Sequence, residues 1–259
     1  MKAKFLQTLM PPIVSLVVVL GMWEVLVRSL SVPAYLLPPP SAILSAGLSN
    51  ATALALASFT TAKSALMGFF LSAFFGISIA VVLGSSRVLE RSFYPYAVFL
   101  QTVPIVAIAP LLVIWFGPGQ RAVSVSAFIV GVFPVVANTL TGLRSVDPSL
   151  RDLFRLHGAS KFQTLFLLSL PHATPSIVTG LRVAGGLSVI GAIVGEFVAG
   201  FAEGAAGLGI VVLSSYRQLR TDLLFASVFC ASMLGLLLFG ATNWFGWRMM
   251  RKWHPSEKV

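Results

Sequence analysis

The sequence predicts an all-α, polytopic membrane protein with about six transmembrane helices and a helix–turn–helix element outside the bilayer. Of the 259 residues, 57% are hydrophobic and 10% are charged, whereas a soluble domain carries about 25% charged residues. The apolar residues are also collected in runs long enough to cross a hydrocarbon core, which takes about 20 residues in a helix. In a membrane protein, the basic residues behind the formal net charge of +10 are expected in cytoplasmic loops, where they fix the orientation of the chain in the membrane. We expect no nucleic-acid partner, because no basic stripe is interleaved with aromatic residues.

The first predicted domain, residues 1–61, holds one transmembrane helix and an extracytoplasmic loop. Two lysines precede an apolar run at about residues 13–27. A signal peptide begins in the same way, but this run is too long and no A-x-A site follows it, so we expect a retained helix. Glu24 and Arg28 are spaced for an i, i+4 ion pair. Prolines in the loop break any long helix, and Ser41 is a candidate cap for a short interfacial one.

The second predicted domain, residues 62–247, is the transmembrane core. Five further spans are expected over about 62–83, 93–116, 121–142, 176–200 and 223–247, with loops between them, the one at 201–221 being rich in small residues. Glycines recur in the second and fifth spans, which predicts close helix packing. Cys230 lies in an apolar run, so we expect a small buried side chain and no intrachain disulfide. A basic tail, residues 248–259, follows.

Polar residues inside the spans are candidates for a solute pathway. Gln101 and Thr102 precede Pro104, which predicts a bent helix beside a polar pathway; a kinked packing helix is the alternative. An intramembrane asparagine, Asn138, is expected to face protein rather than lipid. Glu196 lies near the far end of its span, where a carboxylate either faces a water-filled cavity or a partner, or lies in the headgroup zone.

The longest stretch that cannot lie inside a bilayer is residues 147–182. Asp147 followed by a proline predicts a helix N-cap and first turn, and four apolar residues follow at helical spacing. Gly158 ends this helix, because glycine adopts the turn conformation freely. A second short helix is expected to begin at Ala159 and to end before Leu170–Pro171. Such an amphipathic element predicts a soluble partner.

The distribution of basic residues orients the chain. With the amino terminus inside, 13 of the lysines and arginines fall in inner segments and 5 in outer segments. Because cytoplasmic loops carry the excess of such residues, both termini and the element at residues 147–171 are predicted to be cytoplasmic.

Motifs for chemistry within the chain itself are missing. No G-x-x-x-x-G-K-[ST], H-E-x-x-H or C-x-x-C spacing occurs in the sequence, so we expect neither ATP nor a metal to bind this chain, and no enzyme activity. A self-sufficient channel or secondary carrier, with Glu196 as the coupling group, is the main alternative to a subunit driven from outside. A lone carboxylate makes a poor proton relay, which favours the driven subunit.

The spacing from Gly158 through Leu168 to Leu170–Pro171 resembles the EAA motif of permease subunits in binding-protein-dependent ABC importers. Where that family commonly has Glu-Ala-Ala, this chain has Asp152-Leu153-Phe154, which keeps the carboxylate but brings two bulkier side chains to the partner surface. Further stretches resemble the nitrate/sulfonate/taurine branch of these permeases, whose members also carry thiamine-pyrimidine precursors or riboflavin. They are residues 37–41, 101–117, 133–134, 175–182 and 207–209, and Glu196.

The resemblance implies a type I importer in a bacterial inner membrane. Two permeases, here a homodimer surrounded by lipid, would work with two cytoplasmic ATPase subunits that hold ATP and Mg²⁺ and with an extracytoplasmic substrate-binding protein. The solute would be a nitrate-, sulfonate- or taurine-like anion or a vitamin precursor. The resemblance assigns ATPase coupling to Asp152, Leu153, Phe154, Arg155, Gly158, Ala159, Phe162, Leu168, Leu170 and Pro171.

Overall fold

The computed structural model describes residues 2–199 and 206–250, and the regular structure within them is all helical, with eleven α-helices and one π-helical turn. They are α1 (Lys2–Ser29), α2 (Pro40–Ser49), α3 (Ala51–Gly84), α4 (Arg87–Thr102), α5 (Ile105–Phe116), α6 (Gln120–Arg144), α7 (Pro148–Leu156), α8 (Lys161–Thr164), α9 (Leu170–Ala199), α10 (Leu208–Arg217) and α11 (Thr221–Met250). The π turn, Leu165–Ser169, joins α8 to α9. The all-α prediction is confirmed.

The described residues contain five helices that are long and apolar enough to cross a membrane. They cover 10–29, 51–84, 120–144, 161–199 and 221–248. The pair α4 and α5 passes the same test as one span that is bent by 98°. The predicted six spans are therefore present, with the third one broken.

The centre of the bundle is formed by α3, α6 and α9, whose backbones approach closely at glycines. A Cβ on Gly191 of α9 would lie 2.8 Å from Ala127 Cα of α6, and one on Gly180 would lie 2.9 Å from Pro134 O. A Cβ on Gly68 of α3 would overlap the Ala127 side chain. The three helices can pack at this distance because these positions carry no side chain, as the small-residue pattern predicts.

Contacts between helix ends fix the crossing order. Gly84 at the end of α3 lies against Leu143 near the end of α6. Gly119, just before α6, donates its N–H to Ala199 O at the end of α9, at 3.0 Å. Since α6 is about 37 Å long at 1.5 Å per residue, α4 and α5 together carry the chain from one face of the bundle to the other. The helix–turn–helix α7–α8 connects α6 to α9 on the face where α3 and α6 end.

The predicted ion pair lies within the amino-terminal helix, and both of its residues bond to Ser41 of α2. Arg28 Nε lies 2.6 Å from Glu24 Oε1. Ser41 donates its hydroxyl and its backbone N–H to the Glu24 carboxylate, at 2.8 and 3.0 Å. Our expectation that Ser41 caps α2 was wrong, because the helix starts at Pro40 with Pro39 as its N-cap. Ser41 ties α2 to α1 instead.

Two further boundaries differ from the prediction. The helix α3 begins at Ala51, well before the predicted start at residue 62, because the alanine- and leucine-rich segment ahead of the span also favours helix. The predicted loop at residues 201–221 contains α10, a helix of ten residues. Residues 201–205 of that loop and most of the predicted tail, from residue 251 on, lie outside the described residues.

Candidate functional site

The helix–turn–helix begins at Asp147, which caps α7 as predicted. Its Oδ1 accepts hydrogen bonds from the Ser149 hydroxyl at 2.6 Å and from the Ser149 N–H at 2.8 Å. Both bonds favour the charged form, so they hold the pKa of Asp147 below its ordinary value. One turn further on, Arg151 Nη2 donates to Leu143 O at 2.7 Å. This bond ties α7 to the end of α6.

Gly158 makes the turn between α7 and α8. Its φ of +70° lies in the left-handed region that favours glycine, and the Ala159 N–H closes α7 by donating to Phe154 O at 3.0 Å. The next helix starts with a capping box. Ser160 Oγ accepts from the Gln163 N–H at 3.2 Å, and Gln163 Oε1 accepts from the Ser160 N–H at 2.8 Å. A capped helix, a glycine turn and a second helix therefore form in the predicted order, although the second helix begins at Lys161 rather than at Ala159 as expected.

The outer face of α7 and α8 is apolar and exposed. Leu153 is 47% exposed, Leu156 is 84% exposed and Phe162 is 73% exposed. The ring of Phe162 packs on that of Phe166 with centroids 4.9 Å apart. The nine-residue helix α7 is too short to span a membrane, and Phe162 lies at the very start of the long helical segment 161–199. An exposed apolar face at this end is typical of a surface that another molecule covers.

The polar rim of this face carries the predicted acidic residue. Asp152 Oδ1 lies 3.6 Å from Arg155 Nη1, and both side chains are exposed. An exposed pair of this length contributes little to stability. The two charges are therefore free to be rearranged by a partner at low cost.

The carboxyl end of the element differs from the prediction. We expected the second helix to end before Leu170–Pro171, but α8 passes through the π turn directly into α9. The Leu170 N–H donates to Leu165 O, five residues back. This wider turn lies just ahead of Pro171, which has no N–H to donate. Because the π turn accommodates the proline ring and the missing donor, the helix continues past Pro171. Leu168 and Leu170 are half-buried along the join.

Three of the five predicted pathway residues lie together at the break between α4 and α5. Gln101 and Thr102 end α4, and Pro104 is the N-cap of α5. Between them Val103 is extended, with φ −72° and ψ 123°, which is the conformation favoured before a proline. The expected bent helix is thus a break of 98°. Gln101, Thr102 and Pro104 are all exposed there.

Asn138 faces protein, as expected, and does not join this group. Its Nδ2 donates to Pro134 O at 2.8 Å, one turn back on α6. Its Cβ lies against α9, where a Cβ on Gly180 would be 3.0 Å away. Gly180 and Glu196 are separated on α9 by about 24 Å at 1.5 Å per residue. Asn138 and Glu196 therefore belong to different layers of the bundle.

Glu196 is 3% exposed and lies at the amino end of α10. Its Oε1 accepts from the Thr61 hydroxyl at 2.8 Å, and its Oε2 accepts from the Gly209 N–H at 2.7 Å. The Leu208 N–H donates to Thr61 Oγ1 at 2.8 Å. A Cβ on Gly207 would overlap the carboxylate. A negative group at this position satisfies the unpaired N–H groups of a helix start and complements its dipole.

The sequence did not suggest this arrangement. We expected a carboxylate that faces a water-filled cavity or a partner, or one in the headgroup zone. In the structure Glu196 is bonded inside the fold, to Thr61 and to the first turn of α10. The Gly207-x-Gly209 pattern ahead of an apolar segment could have predicted the start of α10. No sequence pattern could have identified Thr61 as a partner of Glu196, because the two residues lie far apart in the chain and Thr61 resembles any other threonine in a helix.

Comparison with known proteins assigns the chain to a family. A family model described as "Binding-protein-dependent transport system inner membrane component" matches residues 68–251. The formylaminopyrimidine transport permease protein ThiX of Halalkalibacterium halodurans is 33% identical over 231 residues, which are 89% of this chain and 90% of the relative. The taurine transport system permease protein TauC of Escherichia coli is 28% identical over 86% of this chain and 82% of the relative.

A solved structure has the same fold. The inward-facing MetNI methionine ABC transporter matches with a TM-score of 0.62 at 20% identity, over 74% of this chain and 94% of that chain. The family match begins inside α3 and includes the core helices, α7–α8 and α10. The resemblance that rested on the spacing from Gly158 to Pro171 is confirmed. This multi-pass inner-membrane protein belongs to the family of permease components of binding-protein-dependent ABC importers, in the nitrate/sulfonate/taurine branch.

Proposed function

We propose that the chain moves a small polar solute into the cytoplasm, driven by separate ATPase subunits that bind the exposed face of α7 and α8. The observation that carries this proposal is the apolar surface of that element, with Leu156 at 84% and Phe162 at 73% exposure. A cleft on each ATPase would receive these side chains. The orientation that this requires, with α7–α8 and both termini cytoplasmic, is supported by the excess of basic residues in the same segments.

Two features would transmit motion from this face into the membrane. The Arg151–Leu143 hydrogen bond ties α7 to the end of α6, and the π turn makes α8 continuous with α9. A displacement of the element by ATP-driven closure of the ATPase pair would therefore move α6 and α9 together. Rocking of two such bundles would open the pathway outward, and hydrolysis of ATP would restore the inward-facing state.

The pathway itself would pass the break between α4 and α5. Gln101 and Thr102 are exposed there, and a broken membrane helix is tolerated where it lines a cavity or packs on protein. A second copy of the chain would complete the pathway, with an extracytoplasmic binding protein delivering the solute. Asn138 and Glu196 would support the bundle rather than contact the solute, because their polar atoms are bonded inside the fold.

The names of the relatives support a proposal for the solute class. Their names specify taurine and a formylaminopyrimidine, both small polar molecules. We propose that this chain carries a solute of the same kind, either a nitrate-, sulfonate- or taurine-like anion or a vitamin precursor. The binding protein would select among them.

The test uses Leu156→Asp with the cognate ATPase subunit, and Leu36→Asp as the matched control. Leu36 is 62% exposed in the loop before α2, outside α7–α8. Burying a leucine contributes about 1.5–3 kcal/mol, so we expect Leu156→Asp to weaken ATPase binding by about 10- to 150-fold and to abolish ATP-dependent uptake in proteoliposomes. The control should bind and transport like the wild type.

The same reconstitution separates the proposal from a self-sufficient channel or carrier. Uptake by the chain without ATPase subunits would establish the channel or carrier instead. Unchanged ATPase affinity in Leu156→Asp would show that the α7–α8 face is not the docking surface.

A further inference from the structure

A basic cavity lies where the α3–α4 turn, the end of α6 and the start of α7 meet. Its volume is about 340 Å³, and its walls carry the arginines Arg87, Arg91, Arg144 and Arg151. Among the described residues that line it, Glu90 is the single acid, so the walls have a net charge of +3. A water molecule occupies about 30 Å³. The cavity therefore has room for a polyatomic ion or a headgroup.

Among the residues that the structure describes, Glu90 is the only acid that offsets the positive charge of the cavity walls. Glu90 is buried and is paired with Arg144. Arg151 uses one guanidinium nitrogen on Leu143 O, whereas Arg87 and Arg91 are exposed beside the opening. Because each guanidinium has five N–H donors, most of the donors around the cavity remain available for an acceptor with several oxygen atoms.

The backbone at this cavity also favours the binding of an anion. The sixteen-residue helix α4 starts at this cavity, and Ser86 makes no side-chain cap on its first turn. The unpaired N–H groups and the positive end of the helix dipole favour an anion there. An anion in the cavity would thus meet guanidinium groups and the start of a helix together.

We propose that this cavity binds a phosphate group, either the phosphodiester of an anionic lipid headgroup or a soluble phosphate. Guanidinium groups bind phosphate oxygens through paired, charge-assisted hydrogen bonds, and basic pockets between membrane helices bind anionic headgroups. The site is separate from the α4–α5 break, which lies about 22 Å away along α4. Arg151 belongs to α7, so an occupied site joins the α3–α4 turn and α6 to the element proposed to contact the ATPase.

The test measures binding to the purified full-length chain in detergent by native mass spectrometry. The probes are dioleoylphosphatidylglycerol, dioleoylphosphatidylcholine as the zwitterionic reference, and inorganic phosphate. The test variant is Arg87→Gln/Arg91→Gln, which leaves the Glu90–Arg144 ion pair intact. The matched control is Arg121→Gln/Arg220→Gln, which removes the same charge from exposed residues outside the cavity.

We expect one phosphatidylglycerol to bind wild type more tightly than phosphatidylcholine does, and the test variant to weaken this binding by about 30-fold, while the control stays within twofold. Displacement of phosphatidylglycerol by millimolar inorganic phosphate would identify a soluble phosphate as an occupant, and its absence would identify the lipid. Three results would each overturn the proposal. The test variant could bind phosphatidylglycerol as tightly as wild type, or the control could lose as much binding as the test variant. The third result is no preference for phosphatidylglycerol over phosphatidylcholine together with no binding of inorganic phosphate. The last result, together with loss of ATPase assembly in the test variant, would assign the arginines to a protein contact instead.

Discussion

The Thr61 hydroxyl is the most direct test of how α10 is held. In Thr61→Val the side chain keeps its shape, but Glu196 Oε1 loses a donor at 2.8 Å and the Leu208 N–H loses its acceptor at 2.8 Å. A buried polar group left unpaired costs about 1–3 kcal/mol, so we expect a loss of about 3 kcal/mol in the docking of α10. Glu196→Ala also removes the bond to Gly209 and should cost more.

Hydrogen exchange of the α10 amides, followed by mass spectrometry, measures this loss. A change of about 3 kcal/mol in local opening corresponds to roughly 150-fold faster exchange. Thr60→Val is the matched control. Its hydroxyl donates to Leu56 O within α3, at 3.1 Å, so removing it should leave exchange of α10 within twofold of wild type.

Two results would refute this reasoning. Unchanged exchange of α10 in Thr61→Val would show that the hydroxyl does not hold the helix. Glu196→Gln keeps one acceptor oxygen but puts an NH2 donor in place of the other and removes the charge, so it should weaken α10 less than Glu196→Ala does. If that variant lost uptake while α10 exchanged like wild type, Glu196 would act in the solute pathway and not as an anchor.

Three further outcomes are expected. Gly158→Val forces a branched side chain into φ +70°, at a cost of about 1–2 kcal/mol, and should uncouple ATP hydrolysis from uptake while membrane insertion, measured by protease protection, stays normal. Gly191→Val would press its Cβ against Ala127 Cα at 2.8 Å and should lower the thermal midpoint in detergent, whereas Gly186→Val, with nothing within 4 Å of its Cβ position, should not. Gln101→Cys in a Cys230→Ser background should react with a water-soluble maleimide, and substrate with its binding protein should slow the reaction; no labelling would remove Gln101 from the pathway.

The sequence was informative wherever a local rule decides the structure. The capped start at Asp147 and the glycine turn at Gly158 depend on neighbouring residues alone, and both form as predicted. Prolines were harder to interpret. Pro104 breaks its span completely, because the residue before it becomes extended. Pro171 does not end its helix, because a π turn accommodates it.

Rules that depend on neighbouring residues could not predict α10. Its apolar segment is short, and it lies in a stretch rich in glycine that also predicts a loop. What makes it a docked helix is the contact of its first turn with Glu196 on α9 and Thr61 on α3. Contacts between residues so far apart in the chain leave no spacing pattern, so a single sequence shows the charged residue without its partners.

The placement of these contacts restricts how the bundle can move. Pro171 and Glu196 lie near the two ends of α9, about 38 Å apart at 1.5 Å per residue, so one helix connects the element that we propose contacts the ATPase to the anchor of α10. Gly180 and Gly191 lock the middle of α9 against α6. Since a close-packed contact of this kind cannot slide without creating overlaps, α6, α9 and α10 should rock as one body. The α4–α5 break is a joint where a span changes direction without a continuous helix, and motion between that joint and the α6–α9–α10 body is what would open and close a pathway.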